Sequence, residues 1–97
     1  MIVYEVGGMA AERLTECGYI LRGYADGKRY PDGFEWIVVA LISGTLATLK
    51  GFLHIKGGKG SLRHARLVDD FLRLIGCKEL TYERIKNGVI INVTRKL

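Results

Sequence analysis

Residues 45–75 read TLATLKGFLHIKGGKGSLRHARLVDDFLRLI, which is an apolar segment, then a glycine-rich basic segment, then an amphipathic segment. The amphipathic segment predicts a helix over residues 61–75, because its apolar residues recur at helical spacing. These residues are Ala65, Val68, Phe71, Leu72 and Ile75. Ser61 is a favourable N-cap residue, and Gly76 is the residue type that commonly follows a helix. We therefore expect a helix with one buried stripe.

The segment before the basic residues predicts a strand. Residues 45–55 fit a strand through alternating apolar residues, and they also fit a helix through leucines at helical spacing. The strand is favoured because the threonines and Gly51 are poor helix formers. Immediately upstream, residues 35–42 are almost continuously apolar and β-branched, which predicts a central strand buried on both faces.

The remaining segments predict short elements on either side of this centre. Residues 1–6 are expected to form a strand, residues 9–17 a short helix and residues 19–24 another strand. Asp26-Gly27 predicts a two-residue hairpin turn, and Asn87-Gly88 predicts a second one. The register of the second hairpin places five residues on the core face: Leu80, Tyr82, Val89, Ile91 and Val93.

Together these elements predict a single α+β domain over residues 1–97. We expect a mainly antiparallel sheet with one long amphipathic helix, residues 61–75, and a short N-terminal helix. The expected order is β-α-β-β-β-β-α-β-β, in which the third strand is a short return strand at residues 28–30, after the Asp26-Gly27 turn. A chain of 97 residues has room for one hydrophobic core and no more.

The positive charge of the chain is concentrated in the same central region. No acidic residue lies between Glu35 and Asp69, and the five basic residues of that interval equal the formal net charge of +5. They are Lys50, Lys56, Lys59, Arg63 and Arg66. A cationic segment in an otherwise neutral protein predicts an anionic partner. The alternative is a solvated basic loop.

The junction of the glycine-rich segment and the helix predicts a phosphate site. The first N–H groups of a helix lack internal partners, the helix dipole favours an anion there, and glycines let a phosphate approach the backbone. The expected ligand-binding residues are Gly57, Gly58, Lys59, Gly60, Ser61 and Arg63. No group of residues has the spacing of a metal site, so we expect no metal.

Cellular location follows from the cysteines and the N-terminus. Cys17 and Cys77 are too few for a disulfide framework and predict two buried free thiols in a reducing compartment. Residues 1–5 lack the basic and apolar pattern of a signal peptide, and the longest uncharged run, residues 36–49, is too short to span a bilayer. We expect a cytoplasmic protein with no membrane partner.

Two known patterns coincide with the glycine-rich segment. Residues 57–60 match the GxxG loop of KH domains, which clamps single-stranded nucleic acid and follows a helix. Residues 35–97 resemble the later part of a small GNAT-type acyltransferase of the reduced kind found in phage genomes. The resemblance lies in the order of an apolar hairpin, a glycine-rich basic loop, an amphipathic helix and a strand that opens at residues 76–80.

The GNAT resemblance implies that the loop and the helix N-terminus bind the pyrophosphate of acetyl coenzyme A. It implies an acyl-CoA-dependent N-acyltransferase, for which His54 is the only candidate base before the loop. A phosphate-bearing small molecule is therefore the favoured partner, and binding without turnover is an expected outcome. The alternatives are a nucleic-acid-binding module and a phage-derived factor that binds an acidic protein.

Overall fold

The computed structural model describes residues 1–55 and 61–97, which form one seven-stranded sheet and one helix. The strands are β1 (Ile2–Val6), β2 (Met9–Thr15), β3 (Gly18–Gly23), β4 (Trp36–Ser43), β5 (Leu46–His54), β6 (Glu79–Lys86) and β7 (Val89–Lys96), and the helix is α1 (Leu62–Leu74). The segment at residues 45–55, for which a strand was favoured over a helix, is therefore strand β5.

The strands lie in the sheet in the order of the chain, from β1 to β7. Neighbouring strands are antiparallel except β5 and β6, which run parallel with α1 in the connection between them. Parallel neighbours require such a crossover. The predicted α+β class, with a mainly antiparallel sheet, a long helix and a short N-terminal helix, is wrong. The described chain forms one mixed sheet with a single helix.

The helix predicted over residues 9–17 is absent, because this segment forms strand β2. Gly7 and Gly8 have φ values of 61° and 89° and make a two-residue turn that pairs Val6 with Met9. The other edge of β2 pairs with β3. Strand β2 thus has backbone partners on both edges, and Met9 and the two alanines after it are completely buried. These tertiary interactions override the helical spacing of the apolar residues in this segment.

The hairpin predicted at Asp26-Gly27 is also wrong. The turn itself is present, since the N–H of Lys28 donates to the carbonyl of Ala25 at 2.9 Å. No return strand follows it, and β3 pairs with β4 across residues 24–35. Pro31 breaks the segment that would have paired, because proline lacks the N–H that a ladder needs.

Helix α1 lies where the sequence predicts it, with Ser61 as N-cap and Gly76, at φ 96°, beyond its end. It covers the sheet face that carries the buried residues of β2 to β6. The buried residues of α1 are His64, Val68, Phe71 and Leu72. Ala65, predicted to lie in the buried stripe, is exposed, and His64 is buried instead.

Strand β4 has one covered face, although its apolar sequence predicts two. Trp36, Val38 and Ala40 are buried on the side of α1. The alternate residues are only half-buried, and Leu41 is 44% exposed. A nearly continuous apolar strand is therefore compatible with a sheet that has a helix on one side.

The C-terminal hairpin is confirmed. Asn87 and Gly88 have φ values of 52° and 76°, and Lys86 pairs with Val89 across the two-residue turn. The register also places the five predicted residues on one face. Only the end of that face near the start of β6 belongs to the core. Leu80, at this end, is buried, whereas Val89, next to the turn, is 60% exposed.

The two free cysteines differ in accessibility, which predicts selective labelling. Cys17 is exposed, so the prediction that both thiols are buried is wrong for this residue. Cys77 is 4% exposed, and burial raises the pKa of its thiol. At pH 8 the folded protein should react quickly with one equivalent of a thiol reagent, and the denatured protein with two. Cys17→Ser should remove the fast reaction. Fast labelling that persists in Cys17→Ser would show that Cys77 is accessible.

Candidate functional site

The structure describes two of the predicted ligand-binding residues, Ser61 and Arg63. The others, Gly57, Gly58, Lys59 and Gly60, lie outside the described residues. Ser61 begins α1, because its Oγ accepts a hydrogen bond from the backbone N–H of His64 at 3.1 Å. The first turn contains no acidic residue. This end of the helix therefore retains the positive electrostatic character that favours an anion.

Arg63 is engaged with the N-terminal hairpin. Its guanidinium donates to the carbonyl oxygen of Gly7, and its Nη1 lies 3.8 Å from Oδ1 of Asp26. A side chain at Gly8 would lie beside the same guanidinium. Arg63 thus ties the start of α1 to the β1–β2 turn. Its side chain remains about half exposed, so it can still contribute positive charge to the helix N-terminus.

A small cavity of about 310 Å³ lies beside the first turn of α1. Its lining comprises Tyr24, Ala25, Asp26, Glu35, Ser61, Arg63 and His64. Burial raises the pKa of the Tyr24 phenol, which favours its protonated form. The cavity therefore combines hydroxyl and imidazole groups with both signs of charge next to a helix N-terminus.

A β-bulge bends strand β5 where the sheet opens. Ile37 pairs with Leu53 and Val39 pairs with Lys50, so β5 carries one more residue than β4 between these pairs. Gly51 lies in the bulge at φ 68°, a backbone conformation that favours glycine. A bulge kinks its strand and increases the local twist.

Strands β5 and β6 separate beyond this point. Their parallel pairing extends from Leu46 and Glu79 to Leu49 and Tyr82, four pairs in all, although both strands continue further. A cavity of about 920 Å³ lies between the diverging ends and under α1. Residues from β4 to β7 and from α1 line it, among them Trp36, Leu49, Phe52, His64, Val68, Tyr82 and Arg95.

A bidentate ion pair forms part of the wall of the large cavity. Arg95 on β7 donates to both carboxylate oxygens of Asp69 on α1, at 2.7 and 2.9 Å. Hydrogen bonding to this carboxylate raises the pKa of Arg95 above its ordinary value. Because bidentate pairs are strong and directional, this contact holds α1 against the C-terminal hairpin and keeps the cavity walls in place.

The two histidines both adjoin Trp36. His54 is the cross-strand partner of Trp36, and its Nε2 lies 3.8 Å from a carboxylate oxygen of Glu35. His64 accepts a hydrogen bond at Nδ1 from the indole N–H of Trp36 at 3.1 Å. The candidate base named from the sequence, His54, thus lies next to a carboxylate, an arrangement that orients an imidazole.

His64, Trp36 and Glu35 were missed as site residues by the sequence reasoning. A signal for His64 was present, because it precedes Val68 by four positions and Phe71 by seven, the spacing of one helix face. Glu35 has no local signal. Its proximity to His54 depends on the register between β4 and β5, which the sequence leaves open.

The glycine-rich segment follows strand β5, whereas the loop of a KH domain follows a helix. Within residues 1–55 and 61–97 no group of three or more His, Cys, Asp or Glu residues is arranged to hold a metal ion. In the same residues, α1 does not meet the length and apolarity that a membrane-crossing helix needs.

Comparison with protein-family models, curated proteins and solved structures found no match to this chain.

Proposed function

We propose that this protein binds a phosphate-bearing acyl carrier of the coenzyme A type between strands β5 and β6. The observation that carries the proposal is the divergence of these parallel strands after Leu49 and Tyr82, which opens a cavity of about 920 Å³. That volume lies within the range of small-molecule sites, about 300–1,000 Å³. His64 lines this cavity and also belongs to the first turn of α1, so the cavity reaches the helix N-terminus.

The walls of the cavity suit an extended ligand that contains amides. Leu49, Phe52 and Val68 supply apolar surface. In the described part of the chain, β5 and β6 have no mutual ladder bonds beyond their fourth pair. Strand edges without partners bind extended chains through backbone hydrogen bonds. An acyl-carrier arm has alternating apolar and amide groups, which match these two features.

The distribution of charge along the sequence supports a phosphate near the start of α1. Lys56, Lys59, Arg63 and Arg66 lie on the chain around the start of α1, and no acidic residue occurs among them. Arg63 in the first turn lies 3.8 Å from the Asp26 carboxylate, which offsets part of its charge. The remaining positive charge opposes the helix dipole unless an anion is bound. A phosphate there would interact favourably with both the side chains and the helix N–H groups.

The resemblance of residues 35–97 to GNAT-type acyltransferases points to the same ligand. When bound, an acyl-coenzyme A supplies an activated acyl group. The chain would hold its phosphates with the predicted residues at positions 57–61 and Arg63. The resemblance makes His54, whose Nε2 lies 3.8 Å from a carboxylate oxygen of Glu35, the candidate base. We propose that the protein binds the acyl carrier. Whether it also catalyses acyl transfer is measured in a separate assay.

Backbone amide shifts in a labelled sample test the proposal. Coenzyme A should shift the amides of residues 57–65 and of the facing ends of β5 and β6. Lys59→Ala/Arg63→Ala should weaken binding at least tenfold, because each charge-assisted hydrogen bond contributes about 1.5–3 kcal/mol. The matched control is Lys78→Ala/Lys96→Ala, which removes equal charge at exposed positions outside the lining residues.

Other ligands give different results in the same titration. A short single-stranded nucleic acid that shifts residues 57–65 with a steep salt dependence, in the absence of a coenzyme A effect, would support the nucleic-acid alternative. No shift with either ligand would reject the proposed function and leave the acidic protein partner. Equal weakening by the control variant would show that only net charge matters.

A further inference from the structure

His64 is a buried histidine with one ring nitrogen satisfied and one unsatisfied. It is 7% exposed, and its Nδ1 accepts the hydrogen bond from Trp36 Nε1 at 3.1 Å. The two rings are in edge-to-face contact, with centroids 5.5 Å apart. Among residues 1–55 and 61–97, its Nε2 is the one buried side-chain polar atom without a hydrogen-bond partner.

The contact with Trp36 determines where the proton on His64 lies. An indole N–H can only donate, so Nδ1 must present its lone pair. A neutral imidazole that accepts at Nδ1 carries its hydrogen on Nε2. The unsatisfied atom is therefore a donor, and a buried donor without an acceptor is unfavourable. This arrangement is stable at a site where a ligand supplies the acceptor.

The position of His64 indicates which kind of ligand supplies the acceptor. His64 lines both the small cavity beside α1 and the large cavity between β5 and β6. It also lies in the first turn of α1, where Ser61 satisfies its backbone N–H. The free Nε2–H therefore occurs at the same helix end that favours an anion. An oxygen of an anionic group is the acceptor that suits both features.

We propose that His64 is a ligand-binding residue whose Nε2–H donates a hydrogen bond to a phosphate oxygen. Trp36 is then a positioning residue, because its indole N–H selects the ring tautomer that can donate. For the identity of the whole ligand, this inference rests on the proposed function above. For the phosphate group it rests on the burial, the tautomer and the location of His64.

Two substitutions separate donation at Nε2 from packing. In His64→Asn the amide oxygen can still accept from Trp36, and no group reaches the position of Nε2. In His64→Gln the longer amide places a donor near that position. Inorganic pyrophosphate and coenzyme A should each bind His64→Asn about tenfold or more weakly than the parent, and His64→Gln should recover part of the loss. Melting curves establish that both variants are folded.

Imidazole ¹⁵N spectra give a readout that a merely structural histidine would not change. In the parent protein, saturation with pyrophosphate should move the Nε2–H proton of His64 downfield and slow its exchange with water. Trp36, the single tryptophan, should report the same binding through its fluorescence. Unchanged ring signals at saturation, or equal affinity of the parent and His64→Asn for pyrophosphate, would overturn the inference.

The two ligands distinguish failure of this inference from failure of the proposed function. Binding of pyrophosphate that depends on His64, without binding of coenzyme A, would reject the acyl carrier and retain the phosphate contact. Binding of coenzyme A with equal affinity by the parent and His64→Asn would retain the proposed function and reject the role of His64. Failure of the parent protein to bind either ligand would reject both.

Discussion

Leu72→Asp is expected to abolish the folded state. Leu72 is completely buried on α1, in the core that this helix forms with the sheet. A carboxylate there would be buried without a partner, and the effective penalty is on the order of 5 kcal/mol. The total stability of a small domain is about 5–15 kcal/mol, so little or none would remain. Circular dichroism should show the loss of cooperative thermal unfolding.

Leu74→Asp is the matched control for this substitution. Leu74 lies two positions further along α1 and is 69% exposed. The same change there should reduce stability only slightly, by about 0.3–1 kcal/mol, because a negative charge near a helix C-terminus opposes the dipole. Comparable melting temperatures for the two variants would mean that α1 presents a different face to the sheet.

Gly23→Ala is expected to have the next largest effect. Gly23 on β3 is the cross-strand partner of Trp36, whose ring covers it. An added Cβ would lie 1.9 Å from Nε1 and 2.0 Å from Cε2 of Trp36, so the indole would have to move. The ring is 3% exposed and hydrogen-bonded to His64, which leaves it little room. Overpacking of this kind costs about 1–3 kcal/mol.

The melting temperature and the tryptophan fluorescence of Gly23→Ala should both change. Each kcal/mol lowers the melting temperature of a domain this size by about 4–8 °C. Gly33→Ala is the control, because a Cβ at Gly33 meets no atom within 4 Å and its φ is not positive. The double variant Gly23→Ala/Trp36→Leu should lose less stability than the sum of its single changes. Additive losses would locate the clash elsewhere.

Elements with strong local signals could be predicted from the sequence. The capping serine and apolar spacing identify α1, and Asn87-Gly88 identifies the last hairpin, because both features depend on residues close in the chain. Strand β2 could not be identified from its own spacing, since its apolar residues fit a helix equally well. The Gly7-Gly8 turn was the better guide there, because it predicts pairing with the preceding strand.

The candidate site was predictable only where it is local. Ser61 and the charge around it follow from the sequence, because a helix start has a recognisable composition. The contact between His64 and Trp36 joins residues 28 positions apart. The partners of Arg63 lie in the β1–β2 turn and in the loop between β3 and β4. Such contacts depend on the strand register and on how the helix crosses the sheet. The amino-acid composition determines neither the register nor the crossing.

The order of the strands has a consequence for how the protein is made. From β2 to β5, each strand pairs with the strand synthesised just before it, so this part of the sheet can assemble as the chain leaves the ribosome. Strand β6 must then join the free edge of β5 in the parallel direction, which requires the whole helical connection. The cavity between β5 and β6 is therefore completed last, and a nascent chain that stops before residue 79 exposes the unpaired edge of β5 to other chains.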